Sequence, residues 1–200
     1  MSLKVFSKRF VGILFCINML FIVIGGFSCL VDAESISINE GSEWYFFKGI
    51  RKPPDKWSHI DFNRLNEGWL KGRTGLGYGH QKVQTNLNDM KGRYQIVYAR
   101  REVNVDESVY RLLKLNSTRI IFSITCDGPF RALLNGIEVI RSDNERLTAA
   151  RGRFEASDID ITAFAREFLY GKNVIAVECS NDDIDSSDFL FMPVLKQVKR

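Results

Sequence analysis

Four carboxylates crowd one short stretch near the C-terminus: Asp182, Asp183, Asp185 and Asp188, interleaved with Ser186 and Ser187. Hard oxygen ligands gathered this densely are what calcium takes, at roughly six to eight positions around the ion. The spacing departs from an EF-hand, because no glycine holds the turn position and no glutamate closes the loop. A solvated acidic loop is the competing reading. Upstream, Trp57, Trp69, Tyr78 and His80 lie in a loop-rich stretch. Aromatic rings stack on the apolar faces of sugars while neighbouring polar groups fix the hydroxyls. Trp57, Tyr78 and His80 are therefore candidate ligand contacts, with Asp127 and Asn181 supplying further polar groups. Trp44 and Trp69 read as plugs of the core.

Catalysis finds no comparable constellation. There is no Gly-x-Ser-x-Gly elbow and no His-Glu-x-x-His pair, and His59 and His80 are the only histidines. Gly75, Gly77 and Gly79 could let backbone N–H groups approach an anion. That chemistry needs a strand before and a helix behind the loop, and neither is in place, so the phrase reads as a turn or bulge. A carboxylate pair for glycoside hydrolysis has no sequence signature, because it is a separation in space. The chain reads as a non-enzyme that needs no cofactor, with calcium as the ion its acidic loop would take.

The elements that must position these residues are short strands. Arg119 to Cys126 alternates, with Ile120, Phe122, Ile124 and Cys126 on one face and Ser123 and Thr125 on the other. Asn135-Gly136 sits between two apolar runs, the signature of a hairpin whose turn needs positive φ at both residues. Tyr94 to Val105 has the β-branched and aromatic enrichment of a strand, as do Glu43 to Phe47, Val174 to Cys179 and Phe189 to Leu195; Arg153 to Ile159 is a weaker one. Only 162–169 switches to helical spacing, with Phe164, Phe168 and Leu169 in phase and Thr162 placed to cap the start. Gly171 reads as the stop of that helix, feeding a buried strand. Many short strands, one brief helix and no βαβ rhythm predict an all-β sandwich.

The ends bound the setting. Lys4, Lys8 and Arg9 precede a nearly continuous apolar run from Phe10 to Ile24, and Val31-Asp32-Ala33 offers small residues where a signal peptidase cuts. Residues 1–33 are thus expected to be a signal peptide, with an uncleaved anchor or lipid attachment at Cys29 as alternatives, and any membrane contact confined to them. The expected location is secreted, periplasmic or cell envelope. The remaining chain divides into a linker 34–42, one domain 43–197 and a tail 198–200. Cleavage would leave 25 basic and 23 acidic residues, a near-balance that argues against a nucleic-acid partner. Cys126 and Cys179 remain, each on the apolar face of a strand. An oxidising compartment suggests a disulfide, yet buried thiols also behave as small hydrophobes, and both readings stand.

Two phrases in fixed order carry a resemblance: Asp127-Gly128-Pro129-Phe130-Arg131 running into the Asn135-Gly136 hairpin, then Gly171 to Glu178 followed by Ser186-Ser187-Asp188. Together they resemble the galactose-binding-like jelly-roll domains of β-galactosidases and β-glucuronidases. They are similar also to accessory domains of that superfamily attached to secreted bacterial hydrolases and metallophosphoesterases. Trp44, Trp57, Trp69, Gly75 to Gly79 and Val97 to Arg101 follow the family's order of landmarks, so the resemblance covers Glu43 to Phe191. It implies a jelly-roll β-sandwich and a non-catalytic role. Cys126-Asp127 stands where the family commonly shows two acidic residues, and the histidine expected near Ser180 is absent. The resemblance and the loop aromatics together imply a module that binds a glycan, or in the alternative an adhesion or structural module with a protein partner in the envelope. A small hydrolase is the reading with least support.

Overall fold

The computed structural model describes residues 36–63, 68–142 and 154–200. It is the expected all-β sandwich, built from two six-stranded sheets. In chain order the strands are β1 (Ser37–Ile38), β2 (Glu43–Lys48), β3 (Leu70–Arg73), β4 (Leu76–Tyr78), β5 (Thr85–Asn86) and β6 (Ile96–Val105). After helix α1 (Glu107–Lys114) come β7 (Thr118–Cys126), β8 (Phe130–Leu134), β9 (Ile137–Arg141), β10 (Phe154–Asp160), β11 (Gly171–Ser180) and β12 (Phe189–Lys199). The first sheet runs β10-β7-β12-β4-β5, with β1 also paired to β12, and the second runs β3-β2-β6-β11-β8-β9. Every pairing is antiparallel except the short β4–β5 contact. The expected export segment, and Arg153 of the weaker strand, lie outside the described residues. No helix among the described residues is long and apolar enough to cross a membrane.

The alternation read along β7 holds: Ile120, Phe122, Ile124 and Cys126 point into the main core, where Trp44, Phe130, Phe168 and Phe191 meet them. β11 is apolar on both faces. Ile175, Val177 and Cys179 face that core, while Val174 and Ala176 join a second cluster on the outside of their sheet. That second cluster exists because residues of the 57–69 loop, Trp57, Ile60, Phe62 and Trp69, fold back over the sheet. Asn135 and Gly136 both take positive φ, 53° and 91°, which gives the tight β8–β9 turn its hand.

Four sequence expectations need correction. The segment expected as a linker carries β1, with Ile36 and Ile38 buried in the core and the Ile36 N–H donating to Gln197 Oε1 at 3.1 Å. The expected tail is also strand, since β12 continues to pair with β7 through Lys199. The helix expected over 162–169 is a 3-10 helix, Thr162–Glu167, and the chain is already extended at Phe168. Thr162 does not cap it; its hydroxyl accepts from the Ile120 N–H at 2.9 Å, tying the turn to β7. The entry to β11 is then held by the fully buried Asn173, whose Nδ2 donates to the Leu169 and Gly171 carbonyls at 2.8 and 3.0 Å.

The one α-helix among the described residues lies elsewhere. Asp106 accepts from the Val109 N–H at 2.8 Å as N-cap, and Val109 and Leu113, four residues apart, bury the inner face. Its length of 8 residues gives too few turns for periodicity to stand out against the strand that precedes it.

Gly77 shows why the glycine phrase is there. A Cβ at Gly77 would stand 1.9 Å from the Phe189 carbonyl oxygen, so only a bare backbone lets β4 lie against β12. Gly77→Ala should destabilise the fold by about 3 kcal/mol through overpacking against that backbone, read from the midpoint of chemical unfolding.

Candidate functional site

The outer face of the second sheet organises side chains in rows. Across β2, β6, β11, β8 and β9, Phe47, Tyr98, Glu178, Arg131 and Arg141 stand opposite one another. One step along lie Arg100, Ala176 and Leu133. Strand side chains two apart share a face, so both rows point to the same side. The covering loop rests on them. Trp57 stacks on Trp69 at 6.0 Å and meets Tyr98 edge-on at 5.3 Å. Arg100, fully buried, donates to the His59 and Phe62 carbonyls at 3.0 and 3.3 Å and lies 5.2 Å from the Phe62 ring centroid. His59 packs against the hairpin, where a Cβ at Gly136 would come within 2.6 Å of its Nε2.

Between loop and sheet remains a cavity of about 350 Å³, at the lower end of small-ligand sites. Tyr98, Leu133, Arg131 and Glu178 come from the sheet; Pro53, Pro54, Trp57 and His59 come from the loop, with Lys52, Asp55 and Lys56 at the exposed side. Arg131 Nε and Nη2 both reach Glu178 Oε2, at 2.8 and 2.7 Å. On the hairpin side Glu138 is held by Arg141 Nε at 2.8 Å. The Arg131–Glu178 pair also borders a smaller cavity of about 100 Å³ with Phe130, Arg141, Ser142 and Ser180. Burial, then the neighbouring Glu178 carboxylate, push the Tyr98 hydroxyl above its ordinary pKa, so it stays a protonated donor. The arrangement offers apolar ring surface beside fixed polar groups, which suits a ligand with both characters.

Of the residues expected to bind, Trp57 is the one this cavity holds. Tyr78, Asp127 and Asn181 are buried outside it and tie the chain together. The Tyr78 hydroxyl donates to the Ser186 carbonyl at 3.0 Å and accepts from Asn181 Nδ2 at 3.2 Å. Asn181 Nδ2 also donates to the Asp188 carbonyl at 3.1 Å, and Asp127 Oδ2 accepts from the Leu190 N–H. His80 Nδ1 accepts from the Lys82 N–H at 3.1 Å, closing its own turn.

The acidic loop is likewise engaged with itself. Asp183 Oδ1 accepts from the Asp185 N–H at 2.8 Å, and the Ser187 hydroxyl donates to Asp188 Oδ1 at 3.2 Å. Burial raises the Asp182 carboxyl above its ordinary pKa. Among the described residues no three His, Cys, Asp or Glu side chains gather as a metal ion requires.

Sequence reading missed Tyr98, Glu178, Arg131, His59, Lys52 and Lys56 as contributors to this cavity. Each is polar on the outward phase of a strand or in a loop, and only strand register brings them together.

No family model matches the sequence, and no curated protein matches it. The solved structures it is similar to include Bacteroides uniformis β-glucuronidase 2, with a TM-score of 0.53 and 14% identity over 82% of this chain and 18% of that one. A Bacteroides uniformis β-glucuronidase gives 0.50 and 14% over 83% and 18%. A Bifidobacterium dentium β-glucuronidase gives 0.45 and 18% over 73% and 20%. What the likeness shows is the fold: a β-sandwich like one part of much larger chains, of whose length this chain spans a fifth or less.

Because the loop-edge residues serve the fold, Asn181→Ala should lower stability by about 2 kcal/mol and Tyr78→Phe by about 1 kcal/mol. Thermal and chemical unfolding of the two variants check this.

Proposed function

We propose that this domain is a non-catalytic carbohydrate-binding module that seats its ligand between the 52–59 loop and the outer face of the second sheet. The observation that carries the reading is the cavity in which the Trp57 and Tyr98 rings meet the Arg131–Glu178 pair. A pyranose has one apolar face and a rim of hydroxyls. Ring surface takes the first, and fixed donors and acceptors take the second. Arg131 spends itself on Glu178 Oε2, which leaves Glu178 Oε1 as acceptor and the Tyr98 hydroxyl as donor. The likeness to a minor part of larger glycosidases supports an accessory role, and Glu178 and Glu138, both held by arginines, are poorly placed for proton transfer. The charged start and apolar run of residues 4–24 support export.

A second reading, an adhesion or structural module with a protein partner, is favoured by a separate surface. Leu115 and Tyr170 are 73% and 66% exposed, Leu169 is exposed beside Tyr170 in sequence, and Tyr170 meets Tyr110 of α1 edge-on at 6.2 Å. A glycan array probed with the full chain separates the two readings. Carbohydrate binding requires a selective hit that Tyr98→Phe and Lys56→Ala each weaken about tenfold, the equivalent of one hydrogen bond, while Tyr78→Phe leaves it intact. A blank array from folded protein would overturn the carbohydrate reading and leave the protein partner.

A further inference from the structure

Cys126 closes β7 and Cys179 lies one residue before the end of β11, so each sheet contributes one thiol. They are the two cysteines among the described residues, and both are 0% exposed. Each stands on the inward phase of its strand: Cys126 follows Phe122 and Ile124, and Cys179 follows Ile175 and Val177 into the same core. There both are free thiols: Cys126 Sγ donates to the Gly128 carbonyl at 3.1 Å and Cys179 Sγ to the Ser180 carbonyl at 3.7 Å, and Gly128 is packed on Ser180 so closely that a Cβ there would stand 2.6 Å from that same carbonyl oxygen. Two cysteines used only as core filler have no reason to meet, since any small apolar side chain would fill either place.

We infer that Cys126 and Cys179 are a disulfide-forming pair that bolts one sheet of the sandwich to the other beneath the loop edge. The reaction is thiol–disulfide exchange with a disulfide donor, either oxidised glutathione or the disulfide of an oxidoreductase. One thiolate attacks the donor and forms a mixed disulfide, expelling the first donor thiolate. The second cysteine thiolate then attacks its partner's sulfur and expels the other. The protein gives up two electrons and two protons, and the donor leaves as two thiols. Burial pushes the Cys179 thiol well above its ordinary pKa, so little thiolate forms in the folded chain and the bond is made while the chain folds. Its place matters for the cavities described above. Cys179 lies between Glu178 and Ser180, which line them, so the bond would hold that end of β11 in position. The inference does not depend on what the cavities bind.

The test uses the full chain, unfolded in denaturant with reductant and refolded in a buffer of reduced and oxidised glutathione. Remaining thiols are blocked, and the protein is digested with trypsin without reduction. The expected result is one linked species joining Ile120–Arg131 to Asn173–Lys196. The oxidised protein should melt roughly 10 °C above its reduced form, because the bond closes a long loop of the unfolded chain. Recovery of both peptides unlinked, blocked or carrying glutathione would overturn the proposal. So would their linkage to the peptide holding Cys16 and Cys29, or a melting temperature that reductant does not change.

Discussion

The outer face of the second sheet depends on Arg100, a guanidinium with no exposed surface. A buried charge is costly unless its hydrogen bonds are met. Arg100 turns its two terminal nitrogens to the backbone carbonyls of His59 and Phe62 and lies 5.2 Å from the Phe62 ring centroid. The loop thus needs the arginine to satisfy carbonyls turned toward the sheet, and the arginine needs the loop to shield and pair it. Trp57, Trp69, His59 and the cavity beneath them all follow from that mutual requirement. A hydrophobic residue at position 100 would pack against the cluster but would leave those carbonyls facing an apolar surface.

Much of the architecture is legible along the chain because it is local. Period-two alternation in β7, the Asn135-Gly136 turn and the two-faced apolar run of β11 are properties of consecutive residues. Where the reading failed, the deciding partner is far away in sequence. Ser37 and Ile38 are a strand only because Lys196 and Leu195 pair with them, and a two-residue strand carries no period of its own. The 3-10 turn at Thr162–Glu167 gave way to extended chain because Phe168 is needed in the core and Asn173 holds the turn that follows.

The site divides along the same line. Residue type finds Trp57, since a tryptophan in a polar loop must cover something. It cannot find Tyr98, Glu178 and Arg131, which become neighbours only through the register of β6, β11 and β8. Type also misleads elsewhere. Tyr78, Asp127 and Asn181 have the chemistry of ligand contacts, yet the same donors and acceptors are what loops need to satisfy their own backbone where strands end. A polar side chain near a turn announces a hydrogen bond without saying to whom.

The borders of the two sheets have a further consequence. Unpaired strand edges invite pairing with other chains. Here β3 spans four residues and carries Lys71 and Arg73, and β9 carries Glu138 and Arg141. β5 has two residues, and β10 breaks register between Ala156 and Ile159, where Asp158 takes a positive φ of 59°. Among the described residues no border is at once long, flat and uncharged. Charge blunts two, brevity one and a bulge one, so these borders offer little for a strand of another chain to pair with.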